Sequence, residues 1–284
     1  MLRKNNLGFL IIAGVMIQAA CSEIKKDTGY SKIDNLISKD SATVIKNSIK
    51  AMSNDNFKPG QYTGTNKTTI NYRLLSPTQT NAKDKYPLVL VLHGSGAVGT
   101  DNVTQLGVLV KLWDKPAIRE KYPAYILAPQ FPVRSSNYVQ DKNKNVLIST
   151  PDACLSTALQ LIDSLKKVLP IDGRKVYVIG FSMGGSGTIN SLDLRPDLFA
   201  AGISISGIPD FNRTNTLPKI PLWVVHGNAD NENPMATDSL FYKELNALND
   251  HYIKFWEINK LDHDIYSPLY TSDLIPKWLF RHKK

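Results

Sequence analysis

The segment GFSMG, residues 180–184, places a serine between two glycines, directly after an apolar run and directly before a helical pattern. This spacing fits GxSxG, a motif in which a sharp turn between a strand and a helix lifts a serine hydroxyl above a sheet. Glycines at positions 180 and 184 remove side chains that would clash in such a turn. The pattern therefore predicts Ser182 as a nucleophile.

A serine hydroxyl is a useful nucleophile at neutral pH only when a histidine takes its proton and a carboxylate orients that histidine. After a GxSxG turn, the acid and then the histidine follow the serine along the chain. His263 lies in the loop NKLDHD after the last predicted strand, whereas His251 precedes that strand and His282 belongs to a charged C-terminal tail. We therefore expect His263 to be the base.

The acid is expected in the loop GNADNENP, residues 227–234, which follows another apolar run. Asp230 is the carboxylate that a turn could aim at the histidine, and Glu232 competes with it from two residues further on. The residues alone leave this choice open.

Backbone N–H groups must also face the negative charge that develops during acyl transfer. Met183, the residue after the nucleophile, is expected to supply one of them. The second is expected from the loop HGSG, residues 93–96, through Ser95, because the glycines around it let the backbone approach a substrate closely. His93 and His226 each end a predicted strand and are expected to be structural.

These residues need a scaffold that brings loop ends together. Continuous apolar runs occur at 87–93, 124–129, 175–180, 201–206 and 221–226, and an alternating run at 252–258. Helical patterns separate them, the clearest one beginning at Thr150 and Pro151 with apolar residues at a 3.6-residue period. This alternation predicts an α/β fold with a mostly parallel central sheet and helices on both faces, and its chemistry at the carboxyl ends of the strands.

The N-terminus predicts export. Arg3 and Lys4 precede a short apolar stretch that ends in Ala19, Ala20 and Cys21, which is typical of a cleaved signal peptide over residues 1–20. The cysteine after small residues resembles a bacterial lipoprotein signal, which implies a lipid on Cys21. Without that lipid, the protein is expected to be secreted.

Residues 21–60 are rich in Lys, Ser, Asp and Asn, which predicts a tether and a loosely attached N-terminal segment with too few apolar residues for its own core. Residues 61–284 are expected to form the catalytic domain. Cys154, the only cysteine besides Cys21, is predicted to be buried on a helix.

Composition excludes other classes. The chain of 284 residues, with 42% hydrophobic content, suffices for a full core. Its net charge of +9 is spread along the sequence, so no nucleic-acid partner is expected. Because no histidine or cysteine cluster has ligand spacing and no glycine loop fits a nucleotide, neither a metal nor a cofactor is expected.

Several stretches together resemble the bacterial α/β hydrolases called predicted peptidases, which are related to feruloyl and acetylxylan esterases and to polyhydroxybutyrate-type esterases. The resemblance covers about residues 72–280 and rests on YPLVLVLHGSGAVGTDN, YPAYILAPQFP, DGRKVYVIGFSMGGSGTINSLDLRPDLFAAGISISG, PLWVVHGNAD and LDHDIYSPLY. It implies Ser182, Asp230 and His263 as a triad, with Met183 and Ser95 at the oxyanion hole. The chain departs from the family in the long polar loop expected at 134–150, which touches the substrate rim.

The function expected from these observations is a serine carboxylic ester hydrolase that acts through an acyl-enzyme. The resemblance points to acetyl or feruloyl groups on polysaccharide as substrate. The protein is expected to be a monomer that a lipid on Cys21 holds at the bacterial cell envelope. Two alternatives remain open: a serine peptidase of the same fold, and a surface-binding lipoprotein without activity.

Overall fold

The computed structural model describes residues 29–81, 83–211, 220–248 and 252–284. The predicted signal peptide and Cys21 lie outside these ranges. The strands are β1 (Gly29–Asp34), β2 (Phe57–Thr63), β3 (Thr69–Leu75), β4 (Tyr86–Leu92), β5 (Tyr125–Gln130), β6 (Ser136–Asp141), β7 (Val146–Pro151), β8 (Ile171–Phe181), β9 (Ala201–Ile205), β10 (Leu222–Gly227) and β11 (Ile253–Asn259). The helices are α1 (Lys39–Lys50), α2 (Val108–Lys111), α3 (Pro116–Lys121), α4 (Ala153–Val168), α5 (Met183–Leu194), α6 (Ala236–Ala247), α7 (Pro268–Thr271) and α8 (Leu274–Leu279).

A single large sheet organises the described residues, with the order β1-β11-β10-β9-β8-β4-β5-β3-β2. The pairings from β1 to β5 in this order are parallel, and β3 and β2 close one side with antiparallel pairings. The predicted mostly parallel sheet is therefore confirmed. All parallel strands end at the same edge, so the loops after β4, β8, β10 and β11 lie at that edge.

Alternate residues of the central strands enter two separate apolar cores. On β4, Val89 and Val91 face one core, and Leu88 and Leu90 face the other. Helices α4, α5 and α6 cover the face of Leu88, while the remaining helices and Trp113 cover the opposite face. Burial on both faces explains why these strands are continuous apolar runs in the sequence.

The N-terminal segment differs from the expectation of a loose attachment. β1 pairs in parallel with β11 along its whole length, and α1 buries Ala42 and Ile49. Phe57, the first residue of β2, is completely buried, and β2 crosses the boundary expected at residues 60 and 61. The segment needs no core of its own because it adds to the main one. Backbone pairing at a sheet edge requires few apolar side chains, which is why the polar sequence GYSKID gave no signal.

The polar loop expected at 134–150 is also different. β6 and β7 form an antiparallel hairpin within it, paired from Ser136 with Pro151 to Asp141 with Val146. Pro151 therefore ends a strand and does not open α4. The N-cap of α4 is Asp152, whose side chain accepts a hydrogen bond from the Cys154 N–H.

Cys154 is buried and free, as expected. None of the helices in the described ranges combines the length and the apolarity needed to cross a bilayer.

Candidate active site

Ser182 occupies the turn between β8 and α5, with the backbone angles φ 58° and ψ −121°. A side chain at Gly180 could not exist here, because its Cβ would lie 2.1 Å from the Gly184 carbonyl oxygen. A Cβ on Gly184 would in turn lie 2.2 Å from the Leu92 carbonyl oxygen on β4. The two glycines thus allow the helix to start close to the sheet and force the serine into a strained conformation.

The structure brings Ser182, His263 and Asp230 together at the carboxyl edge of the sheet. His263 Nε2 lies 2.9 Å from Ser182 Oγ, and His263 Nδ1 lies 2.7 Å from Asp230 Oδ2. The Ser182 N–H donates to the carbonyl of Ile205 at 2.9 Å, which fixes the turn against β9. The ring of Phe181 packs against the His263 ring with a centroid distance of 4.9 Å. One imidazole therefore contacts both a hydroxyl and a carboxylate through its two nitrogens.

Glu232, the competing acid, lies near the other nitrogen of the His263 ring. Its side chain is 76% exposed, and its Oε2 is 3.7 Å from His263 Nε2, the nitrogen that faces the serine. Asp230, whose side chain is fully buried, holds the opposite nitrogen. The geometry thus gives Asp230 the orienting position.

Hydrogen bonds saturate the Asp230 carboxylate. Its Oδ1 accepts the backbone N–H groups of Glu232 and Asn233 at 2.9 and 2.8 Å. Its Oδ2 faces His263 and also lies 3.2 Å from His226 Nε2. Burial alone would raise the pKa of Asp230, but its hydrogen bonds to His226, His263 and Asn233 hold that pKa well below its usual range. The group is therefore ionised near neutral pH.

The predicted oxyanion donors lie on the two loops beside Ser182. Met183 is the first residue of α5, so its N–H has no acceptor within the helix. Ser95 opens a 3₁₀ turn, Ser95–Ala97, after β4. A Cβ on the neighbouring Gly94 would lie only 3.6 Å from the Ser182 Cβ, which shows how close this loop comes to the serine. The oxyanion role of Met183 and Ser95 stays a prediction.

His93 supports the loop after β4. Its Nε2 accepts the Phe131 N–H at 3.0 Å, and its Nδ1 lies 2.8 Å from the Gly94 carbonyl oxygen. Nδ1 therefore carries the proton, and the ring is neutral. Burial lowers the pKa of His93, in agreement with that state. These contacts fit the structural role expected for this histidine.

A cavity of about 420 Å³ opens beside the serine turn. Gly94, Ala97 and Phe181 line it on the side of the serine, and Ile265 lines it close to His263. Its walls are more apolar than polar, with Lys46 of α1 at one side. The N-terminal segment thus contributes to the surroundings of the site, which the sequence did not predict.

The hairpin also reaches the site. The Tyr138 hydroxyl lies 3.1 Å from Ser186 Oγ on α5 and 3.4 Å from Asn233 Nδ2 in the acid loop. Ser186 Oγ accepts the buried Ile208 N–H at 2.8 Å. No spacing in the sequence could have indicated these contacts, because they join segments that are far apart in the chain. Within the described ranges, no cluster of His, Cys, Asp and Glu is arranged to hold a metal ion.

Comparison with known proteins was made for sequence and for structure. No protein-family model matches the chain. The bifunctional acetylxylan esterase/xylanase of Neocallimastix patriciarum is 32% identical over 93 residues, which are 33% of this chain and 13% of that protein. The crystal structure of a thermostable esterase superposes with a TM-score of 0.72 at 30% identity, covering 81% of this chain and 64% of that one.

A ferulic acid esterase from Anaeromyces mucronatus superposes with a TM-score of 0.53 at 16% identity, covering 75% of this chain and 86% of that one. The chain spans less than two thirds of both the acetylxylan esterase/xylanase and the thermostable esterase. The likeness to these proteins and the sheet order show that the chain has the α/β-hydrolase fold. The expected resemblance to esterases of this fold is confirmed.

Proposed function

We propose that this protein is a serine carboxylesterase that works through an acyl-enzyme. The observation that carries the proposal is the position of His263, which contacts Ser182 Oγ with one ring nitrogen and Asp230 Oδ2 with the other. The similarity to esterases, at 30% identity to the thermostable esterase, supports the same chemistry.

The reaction begins when Ser182 Oγ attacks the ester carbonyl and His263 Nε2 takes its proton. The carbonyl oxygen becomes negative and accepts hydrogen bonds from the N–H groups of Met183 and Ser95. Asp230 stabilises the protonated imidazole, which then gives its proton to the leaving alcohol. Water, activated by His263, attacks the acyl-enzyme and releases the acid.

The substrate we propose carries an acetyl or feruloyl group on a polysaccharide. Two relatives support this class, since one is named an acetylxylan esterase/xylanase and another a ferulic acid esterase. The cavity of about 420 Å³ beside the serine turn is large enough for an aromatic acyl group and largely apolar.

Hydrolysis of p-nitrophenyl acetate tests the reaction. We expect the wild-type protein to hydrolyse it and Ser182→Ala to lose that activity. Ser191→Ala is the matched control, because Ser191 lies on the same helix, is buried and donates only to the Gly187 carbonyl. Equal activity in wild type and Ser182→Ala would overturn the assignment.

Further substrates separate the alternatives. Acetylated xylan, methyl ferulate and short aliphatic esters identify the acyl group, and a peptide p-nitroanilide tests the peptidase alternative. Labelling with a fluorophosphonate distinguishes an active serine from a binding protein without activity. An unlabelled, inactive wild-type protein would favour the non-catalytic lipoprotein.

For location, we propose a lipid on Cys21 and attachment to the bacterial cell envelope, with the protein as a monomer. The support is the signal-like sequence that ends at this cysteine. Mass spectrometry of the mature N-terminus tests it, because lipidation makes Cys21 the first residue. Cys21→Ser should release the protein from the membrane fraction.

A further inference from the structure

His226 is the second-last residue of β10, behind the acid loop, and its side chain has no exposure to solvent. Three acceptors surround the ring. Nδ1 lies 2.7 Å from Asp238 Oδ2, and Nε2 lies 2.8 Å from the Asn233 carbonyl oxygen and 3.2 Å from Asp230 Oδ2. The triad described above uses none of these contacts except the shared Asp230 oxygen.

The partners determine where the protons of His226 lie. A carbonyl oxygen can only accept, so Nε2 must donate to Asn233. Nδ1 faces a carboxylate, so a proton also lies between His226 and Asp238. Burial lowers the pKa of His226, but hydrogen bonds with Asp230 and Asp238 more than offset this and raise it to about 9. Burial also raises the pKa of Asp238, so the two side chains compete for the proton between them, and the proposal below places it on the ring.

Asp238 has little other use in the fold. It lies in the first turn of α6, and its side chain is completely buried. Its Oδ2 contacts His226, while its Oδ1 is buried without a hydrogen-bond partner among the described residues. A buried carboxylate costs free energy unless it is paired, and the pairing of Asp238 observed here is the one with the His226 ring.

We propose that His226, kept cationic by Asp238, is a positioning residue for Asp230, whose carboxylate it fixes and partly neutralises. The inference rests on the proposed esterase function. It adds to the triad a second histidine, which never touches substrate and acts through the same Asp230 oxygen that orients His263.

The ring and the acid loop form one unit. Asn233 accepts from His226, donates its backbone N–H to Asp230 Oδ1, and donates its side-chain Nδ2 to the Ser206 carbonyl at 2.7 Å. Holding the Asn233 carbonyl thus also holds the N–H that fixes Asp230. Two further titratable groups lie nearby: the exposed Glu232 faces His263 from the surface, and the Tyr138 hydroxyl lies 3.4 Å from Asn233 Nδ2.

The charge of His226 should be visible in the pH dependence of catalysis. A cation 3.2 Å from Asp230 Oδ2 partly offsets the negative potential with which this carboxylate stabilises protonated His263. If His226 becomes neutral, His263 keeps its proton to higher pH and is available as base only above that pH. The acidic limb of the kcat/KM profile should then move upward.

Asp238→Asn makes this change with almost no change of shape. The amide can donate to Nδ1, so His226 becomes neutral while its Nε2–H toward Asn233 remains. We expect the acidic limb of kcat/KM to move up by about one pH unit. If the role of His226 were purely structural, its loss would have one of two effects. A lower kcat at every pH would leave the acidic limb in place, and a looser contact between Asp230 and His263 would move the limb to lower pH.

Asp172→Asn is the matched control. Asp172 is also a carboxylate with little exposure, but it pairs with Arg174 at the other end of β8. The kcat/KM profile of this variant against pH should equal that of the wild type. His226→Gln is a second variant in the same direction, because it removes the cation but keeps a donor toward the acid loop.

Nitrogen NMR of the wild-type protein tests the protonation without relying on a variant. At pH 7 both ring nitrogens of His226 should give protonated signals, assigned by their loss in His226→Gln. An unprotonated Nδ1 overturns the proposal, and so does an active wild type whose acidic limb is unchanged or lowered in a folded Asp238→Asn variant. An inactive wild-type protein instead overturns the proposed esterase function, while the NMR result still decides the state of His226.

Discussion

Gly184 of α5 packs against Leu92 of β4 so closely that a Cβ would lie 2.2 Å from the Leu92 carbonyl oxygen. This contact joins the helix that follows the nucleophile to the strand that leads into the loop of Ser95. The distance between the two predicted oxyanion donors therefore depends on Gly184 having no side chain.

Gly184→Ala should therefore disrupt both stability and activity. Backbone atoms cannot move aside as a flexible side chain can, so we expect the free energy of unfolding to fall by about 1–3 kcal/mol. Urea unfolding and p-nitrophenyl acetate hydrolysis measure the two effects. The control is Gly173→Ala, where a Cβ would meet only the end of the Lys166 side chain at 3.4 Å. Equal behaviour of the two variants would contradict the prediction.

Asp230→Asn should lower kcat by about 10³- to 10⁴-fold, because the amide no longer holds His263 in the tautomer that accepts the serine proton. Glu232→Gln should stay within about threefold of the wild type, since Glu232 is exposed and faces the wrong nitrogen. Steady-state kinetics on the same ester compare them. The assignment of the acid is wrong if Glu232→Gln shows the larger loss.

Ser186→Ala should destabilise the protein more than Ser191→Ala, although both serines are buried on α5. The first change leaves the buried Ile208 N–H without its acceptor, which costs about 1–3 kcal/mol. Ser191 only donates to a helix carbonyl, so its loss should cost little. Equal unfolding free energies of the two variants would refute the importance of the Ile208 contact.

Lys46→Met tests how firmly α1 is attached to the loop of His263. Lys46 Nζ lies 2.6 Å from Asp264, and both side chains are only about one fifth exposed, at 20% and 18%. Removing the lysine should cost about 1–2 kcal/mol of stability. Lys39→Met removes a more exposed pair with Asp262 and should cost less stability than Lys46→Met. Thermal unfolding ranks the two, and the reverse order would count against a firm attachment.

The stability of the folded protein should decrease between about pH 6.5 and pH 9. The folded state raises the pKa of His226 from 6.5 to about 9, so it binds a proton in this interval that the unfolded chain has released. The contribution is complete below pH 6.5 and disappears as the pH rises through 9. Asp238→Asn should show a smaller decrease, measured by urea unfolding at pH 6, 7.5 and 9.5. Identical slopes in the two proteins would contradict it.

The sequence predicted the central elements well because each has a strong local pattern. Strands buried on both faces are apolar runs, and the turn at Ser182 has glycines that its close packing requires. His263 could be found because chain order leaves few histidines after the last strand. Asp230 needed the resemblance, since spacing did not separate it from Glu232.

Other features depend on contacts between distant segments. β1 is polar and joins the sheet only because β11 offers an open edge. The role proposed for His226 requires Asp238 on the next helix and Asn233 in the intervening loop, a meeting that no periodicity reveals. The hairpin of β6 and β7 carries polar residues that pack onto α5, so its sequence resembles a loop.

The parallel pairing of β1 with β11 also sets an orientation. Gly29 lies at the amino ends of the parallel strands, whereas Ser182 lies at their carboxyl ends, because β1 runs in the same direction as the strands that end at the site. Between Cys21 and Gly29 the chain spans at most about 30 Å even when extended. If Cys21 carries a lipid, the tether therefore enters the domain at the end of the sheet that lies away from the serine.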